Sequence, residues 1–337
     1  MTFPDPATVL DLIEAFRRSK TMFTAVSLGI FERLTSGPAG AAALAQYLNA
    51  DVGALERLLD ACCGLGLLEK NDGEYANTAV TAAYLVTASP RSLHGYIRYS
   101  DEALFPMWGH LDDAIREGTH RWSQTFGLEG PLFSHFFRTE AAMRDFLLGM
   151  HGLGMISSPR LVETFDLSRF RRMVDLGGAT GHLVIAACER YPSLEGAVFD
   201  LPRAVEMARE QVALSPARDR LQVIAGDFFT DPLPDADLFA LGRVLHDWSD
   251  EKIARLLCLI CERLPAGGAL LIGEKLLLDD KTGPVPATMQ SLNMLVVAEG
   301  RERSAPEYAG LLRQAGFAEV DARRTGTVLD AILAVKA

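Results

Sequence analysis

His246 stands in Gly242-Arg-Val-Leu-His-Asp-Trp248, directly ahead of Ser249, which is placed to cap a helix opening with Asp250 and Glu251. An imidazole where a strand becomes a loop can take a proton from a hydroxyl near neutral pH. Such a base works better when an acid orients its second nitrogen. Two acids are candidates: Glu274, closing the run Ala269–Glu274, and Glu302, in Gly300-Arg-Glu-Arg-Ser304. The alternative for Glu302 is a surface charge among arginines. Asp247 is adjacent to the histidine and is expected to point elsewhere, holding a substrate polar group or capping the turn. Asn293 lies on an otherwise apolar helix, Met289-Gln-Ser-Leu-Asn-Met-Leu295, where a buried amide needs a partner in substrate or backbone. Met150-His-Gly-Leu-Gly-Met155 follows a helix over Glu140–Gly149 and suits a flexible apolar wall for a flat ligand; core filling is the other reading of Met150 and Met155.

A second constellation lies earlier. Met173-Val-Asp-Leu-Gly-Gly-Ala-Thr-Gly181 reads as a strand carrying Asp175, a turn with Gly177, Gly178 and Gly181, and then a helix. Glycines let a backbone approach a ligand closely, and the helix start offers free N–H groups. The dinucleotide fingerprint fails because Ala179 stands where its second glycine belongs, and no Gly-Lys-Ser/Thr phosphate loop is present. The next strand ends in Asp200, followed by Leu201-Pro202, and an acid there is placed to hold ribose hydroxyls. At the third strand end, Gly226-Asp227-Phe228-Phe229 offers an acceptor for an exocyclic amine and a ring to stack on a purine. A glycine turn, a ribose acid and no phosphate signature point to S-adenosylmethionine (SAM). The alternative is an ordinary strand, turn and helix whose glycines serve packing.

These residues need a sheet to position them. Strands and helices alternate from residue 166 onward: 172–176, 197–200, 221–226, 236–243, 269–274, 319–324 and 331–335. That alternation predicts an α/β, doubly wound, mostly parallel sheet. The last two strands are separated too briefly for a crossover helix, so they pair antiparallel. Residues 1–165 form the other expected domain. Residues 7–34 read as two helices, with Val9, Leu12, Ile13 and Phe16 on one face and Phe23, Val26 and Ile30 on the next. Residues 39–78 read as helix, helix, hairpin, a winged-helix layout. Its second helix exposes Asp51, Glu56, Arg57 and Asp60, whereas a DNA-reading helix should be basic. Dimerisation is therefore the expected role.

The chain has 337 residues, enough for two domains, and a net charge of −11, which disfavours nucleic acid as a partner. No apolar run reaches membrane-spanning length, and Met1-Thr-Phe-Pro-Asp-Pro is no signal peptide. Five cysteines without framework spacing fit reduced thiols and a cytoplasmic setting. Cys258 and Cys261 form a lone C-x-x-C on a helix, read as packing, and no metal-ligand cluster is visible.

The motifs Val-Asp-Leu-Gly-Gly, Val-Phe-Asp-Leu-Pro, Gly-Asp-Phe-Phe-x-Asp-Pro-Leu-Pro, Arg-Val-Leu-His-Asp-Trp and Ser-Leu-Asn-Met-Leu together resemble the metal-independent small-molecule O-methyltransferases, and within them the acetylserotonin O-methyltransferase-like group. The similarity spans nearly the whole chain. It implies a class I methyltransferase, Rossmann-like sheet and a homodimer formed through the N-terminal domain. It implies SAM bound by the glycine turn, Asp200, Asp227, Phe228 and Arg243. It implies His246 as general base, held by Glu274 and Glu302. Two positions depart from acetylserotonin enzymes: Phe137 aligns with a tyrosine near the cofactor, and Val297 with a substrate-facing glutamine. A less polar or different aromatic hydroxyl acceptor is therefore expected. Two other classes stay open: a cofactor-binding protein that methylates nothing, and a winged-helix regulator.

Overall fold

The structure, a computed structural model, describes residues 4–337; Met1-Thr2-Phe3, where the signal-peptide reading begins, lies outside them. Its residues divide into two compact units, one ending at Ala103 and the other Leu104–Ala337.

In the first unit one helix, Ala7–Ser27, carries Val9, Leu12, Ile13 and Phe16 together with Phe23 and Val26 of the second set, and Ile30 falls on the next. The expected break between them is absent because nothing in Arg17–Thr24 interrupts a helix; the chain breaks at Gly29, at φ +71°, before the short helix Ile30–Arg33. Phe23 and Val26 are buried, whereas Val9, Leu12, Ile13 and Phe16 are exposed. Strand β1 (Ala39–Gly40) precedes helices Ala41–Leu48 and Val52–Gly64, and Asp51 caps the second by accepting from Ala54 N at 2.8 Å. β2 (Leu68–Asn71) and β3 (Glu74–Asn77) form a hairpin, and the sheet order is β1-β3-β2. Asp72 and Gly73 at its tip both have positive φ, as a tight two-residue turn requires. Asp60 accepts from Tyr75 Oη at 2.7 Å and Lys70 Nζ at 2.8 Å, so it ties its helix to the hairpin.

The second unit holds a seven-stranded sheet of order β6-β5-β4-β7-β8-β10-β9. Its strands are β4 (Arg172–Leu176), β5 (Glu195–Asp200), β6 (Leu221–Ala225), β7 (Leu238–Gly242), β8 (Ala269–Glu274), β9 (Phe317–Arg323) and β10 (Asp330–Lys336). The first five are parallel; β10 runs antiparallel to both β8 and β9, as the short connection dictates. Alternate residues feed two cores. Val174, Phe239, Leu241 and Ile272 pack under the helices Asp250–Arg263 and Ala305–Gln314; Met173, Val198, Leu238 and Leu271 pack under His182–Arg190 and Val205–Leu214.

Residues 104–165, grouped by sequence with the N-terminal region, are bonded to the helix Val285–Val297. Trp108 Nε1 donates to Asn293 Oδ1 at 2.8 Å, Arg121 N to Val296 O at 2.9 Å and Trp122 Nε1 to Val297 O at 2.8 Å. The expected helix end at Gly149 is not there: Glu140–Thr164 is one continuous helix. Gly154 serves contact rather than flexibility. A Cβ on Gly154 would stand 2.3 Å from His182 Cγ, so that position lets the two helices close on each other.

Candidate active site

β4 delivers Asp175 to the carboxyl edge of the sheet, 1% exposed. Burial, then the charge of Asp200, pushes its carboxyl up to about 8. Its Oδ2 has no hydrogen-bond partner, and a Cβ on Gly178 would sit 2.8 Å from that oxygen, so only glycine leaves it open. Gly177 (φ +67°), Ala179 (+51°) and Gly181 (+82°) bend the turn through left-handed backbone. Ala179 carries a steric cost there of roughly 1–2 kcal/mol, offset because its N–H donates to Asp200 Oδ2 at 2.7 Å. Asp200 Oδ1 accepts from Leu201 N, also at 2.7 Å, and burial pushes this carboxyl up to about 6. The acid thus fastens the glycine turn to the end of β5.

Gly226 must be glycine because a Cβ would meet the Phe199 ring at 2.4 Å. Asp227 Oδ1 accepts from Phe229 N at 2.8 Å, and Phe228 is half-buried, its Cε1 3.5 Å from where a Gly177 Cβ would be. The turn therefore lies against both Asp200 and Phe228. An orphaned buried carboxylate oxygen and a cradle that a Cβ would fill both fit an amino-acid-bearing nucleoside such as SAM.

β7 and the turn after it deliver His246, 2% exposed. Its Nδ1 lies 2.8 Å from Glu302 Oε1 and 3.0 Å from Glu274 Oε2. Glu274 is held in turn, its Oε1 accepting from Val244 N at 3.0 Å and Leu245 N at 2.8 Å. Burial would depress the imidazole, but Glu274, Glu302 and Asp247 outweigh it and hold His246 well above the ordinary histidine value. Glu302 is 0% exposed, so it is no surface charge. The donor atoms of His246, Glu274 and Glu302 lie within 4.8 Å of one another, a convergence that the sequence spacing did not announce. Here it encloses the Nδ1 proton.

Asp247 does not point away, as adjacency suggested. Its Oδ1 is 3.7 Å from His246 Nε2, within the 3-10 turn Leu245–Asp247 that both residues share. Arg243 sits at φ +59° with its N–H bonded to Gly273 O at 2.9 Å, and its Nε is buried without an acceptor.

Asn293 Oδ1 accepts from the indole of Trp108. Val297 is 1% exposed and Met155 is exposed. Met150 and Met155 are about 140° apart on one helix, at 3.6 residues per turn, so they do not share a face. Phe137 is buried among Phe133 and Phe146, with Arg203 Nη1 bonded to its carbonyl at 2.8 Å.

Sequence reading missed Gly300, Arg303 and two histidines. A Cβ on Gly300 would stand 2.3 Å from His246 O, so glycine lets this segment lie against the turn that carries His246. Arg303, 1% exposed, bonds Asp250 Oδ1 at 3.1 Å and Arg301 O at 2.9 Å, fixing the strip that carries Glu302. His151 Nδ1 contacts Thr180 Oγ1 at 2.9 Å, and His182 Nδ1 contacts Ser158 Oγ at 2.8 Å. The glycine and arginine flanking Glu302 were the visible signal; the histidine contacts left none.

A doubly wound sheet with an antiparallel last strand, a glycine turn clasped by a second-strand acid and a buried imidazole at the sheet's carboxyl edge define a class I SAM-dependent methyltransferase. The family model described as the O-methyltransferase domain matches residues 108–318, and that of the O-methyltransferase dimerisation domain matches 10–87. The chain is 38% identical to the acetylserotonin O-methyltransferase of Gallus gallus, over 98% of this chain and 97% of that one. Its fold matches the crystal structure of human N-acetylserotonin methyltransferase in complex with SAM at a TM-score of 0.94, with 38% identity over 100% of this chain and 99% of that. It matches PigF with SAH at a TM-score of 0.89, with 30% identity over 99% and 100%. The chain belongs to the O-methyltransferase family, and it is a SAM-dependent O-methyltransferase.

Proposed function

We propose that this enzyme methylates a hydroxyl of a small aromatic acceptor, with His246 as general base. The observation that carries this reading is the pair of carboxylates on His246 Nδ1, at 2.8 and 3.0 Å, which leaves Nε2 for the acceptor. SAM supplies an electrophilic methyl for an in-line displacement by the acceptor oxygen. Asp175, Gly177, Gly178, Asp200, Leu201, Gly226, Asp227, Phe228 and Arg243 are the residues that would hold it.

His246 Nε2 takes the hydroxyl proton while Nδ1 keeps its own and donates it in a hydrogen bond to Glu302 Oε1. Glu274 and Glu302 stabilise the imidazolium that results. Asp247 Oδ1, 3.7 Å from Nε2, is too far to bond the ring directly and near enough to accept from an acceptor group beside it. Most of the acceleration comes from holding the reacting atoms in line; base catalysis adds roughly 10²–10⁴-fold. Phe137 and Val297 replace polar groups of acetylserotonin enzymes, which favours an acceptor other than acetylserotonin.

The helix, helix, hairpin of residues 39–78 is read as a winged helix that serves a homodimer, supported by the dimerisation-domain match and the exposed stripe Val9, Leu12, Ile13 and Phe16. No helix among the described residues is long and apolar enough to cross a membrane, and the five cysteines are free, which supports a cytoplasmic setting.

The test is incubation with isotopically labelled SAM and a mixture of phenols, hydroxyindoles and polyketides, read by mass. Labelled product is expected with wild type. His246→Ala is expected to lose at least about 10²-fold in turnover while binding SAM normally. Full turnover in that variant sinks the base assignment.

A further inference from the structure

His151, Gly154 and Ser158 are spaced by three and four residues and so lie along one face of the helix Glu140–Thr164. That face meets the end of the glycine turn. A Cβ on Gly154 would stand 2.3 Å from His182 Cγ, and Ser158 Oγ lies 2.8 Å from His182 Nδ1, so the helix is seated on the first residue of His182–Arg190. One turn earlier the same seating brings His151 Nδ1 to 2.9 Å from Thr180 Oγ1, and Thr180 is 0% exposed. Burial pushes His151 below the ordinary histidine value, so its ring is neutral. A hydroxyl suits Nδ1 whether or not that nitrogen carries the proton, because it both donates and accepts.

Thr180 sits inside the four-residue turn 178–181, which Gly181 N closes by donating to Gly178 O at 2.7 Å. The residues on either side of it, Ala179 at φ +51° and Gly181 at φ +82°, are both left-handed. For Ala179 that backbone is costly, so its surroundings have to hold it. Two side chains do so from opposite elements. Asp200 of β5 accepts from Ala179 N at 2.7 Å, and His151 holds Thr180. Asp200 is also the acid placed for ribose hydroxyls, whereas the helix start just beyond Thr180 has free N–H groups that suit a carboxylate. The two tethers therefore serve different ends of an amino-acid-bearing nucleoside.

We propose that His151 is a positioning residue for SAM: by holding Thr180 it fixes the half of the turn that receives the donor's amino-acid tail. It takes no part in proton transfer. This rests on the donor lying against the turn after β4, as read above, and extends that site to a helix outside the sheet.

Calorimetry at pH 7 with two ligands tests it. S-adenosylhomocysteine has the tail; methylthioadenosine is the same nucleoside without it. His151→Phe keeps a flat ring with no donor or acceptor. It should weaken S-adenosylhomocysteine about tenfold or more and methylthioadenosine by less than about threefold. Thr180→Val should do the same, and the double variant should be no worse than either alone, since one contact is lost in all three. His151→Asn, whose amide reaches the place of Nδ1, should recover most of the affinity. In turnover, KM for SAM should rise in His151→Phe while kcat is nearly kept. Thermal melts check that each variant folds. Unchanged S-adenosylhomocysteine affinity in both His151→Phe and Thr180→Val overturns the proposal. An equal loss for the two ligands overturns it as well, because the histidine then supports the whole site, and so does a failure of His151→Asn to recover affinity, which assigns the loss to packing. Asp200→Ala should weaken both ligands. If it changes neither, the donor reading fails and this proposal with it; a weakened Asp200→Ala beside an unaffected His151→Phe sinks this proposal alone.

Discussion

Glu302 Oε1 lies 2.8 Å from His246 Nδ1, and the contact depends on a glycine two residues before the acid. With Glu274 and Asp247, Glu302 overrides the burial that would depress His246 and raises it well above 6.5. The base must be neutral to work, so kcat/KM should climb with pH across that raised value. Glu302→Gln removes one of the charges that raise it. The rising limb should move to lower pH by about a unit or more, and the plateau should fall about tenfold or more. The sign for stability is the reverse of that for activity. A group raised in the folded state stabilises fully below its unfolded value near 6.5, and that contribution is lost as pH rises through the folded value. A pH–rate profile whose limb does not move removes Glu302 from the proton chemistry.

Asp175 is a second buried acid, but its carboxylate has an oxygen with no partner. Its carboxyl is raised from 3.8 to about 8, so the folded state holds a proton that the unfolded chain has released. Stability from this group is complete below about pH 4 and is lost as pH rises to about 8. Asp175→Asn keeps the shape without the charge. It should raise Tm by several degrees at pH 8, flatten the pH dependence of stability between 4 and 8, and weaken SAM about tenfold or more. Melting curves across pH and calorimetry with SAM measure both halves. A variant that melts lower at pH 8 contradicts the account.

Much of this arrangement was legible before any coordinates. β4 and β8 match their predicted limits because each is a short, mostly apolar run followed by a break in the pattern, and the antiparallel pairing of β9 and β10 followed from loop length. The long helix Glu140–Thr164 was cut short because its glycines read as breakers, and only the partner His182 explains Gly154. Glu274 and Glu302 were candidates to orient His246 from the sequence, but three separate segments supply the trio and no spacing relates them, so the sequence could not choose between the two acids or show that both converge. Asn293 was singled out correctly as a buried amide, but its partner Trp108 lies 185 residues away and nothing local names it.

Gly300 gives a test of the frame rather than of the charges. A Cβ there would stand 2.3 Å from His246 O and 2.6 Å from Trp248 O, both backbone atoms that cannot step aside. Gly300→Ala should displace the strip carrying Glu302 and leave the glycine turn after β4 alone. Turnover should drop by about 10²-fold or more, stability by roughly 1–3 kcal/mol, and SAM affinity by less than about threefold. Single-turnover rates beside SAM binding separate these. Wild-type turnover in Gly300→Ala means that the segment tolerates the shift and that Glu302 is not held by it.

The helix Ala7–Ser27 ends in a core and begins in solvent. Val9, Leu12, Ile13 and Phe16 are 61%, 68%, 58% and 58% exposed in the single chain, while Val26, on the same helix, is 2% exposed. Apolar burial is worth about 25 cal/mol per Å², so four such side chains on one stripe favour a covering surface, and the proposed homodimer supplies it. Charges placed in that stripe would have to be desolvated without partners. Leu12→Glu combined with Phe16→Glu should therefore convert the dimer to monomer in sedimentation velocity at micromolar concentration. Because both positions are exposed in the isolated chain, the monomer's melting temperature should be little affected by the charges themselves. A variant that still sediments as a dimer places the contact on another face of residues 10–87, the segment matched by the dimerisation domain.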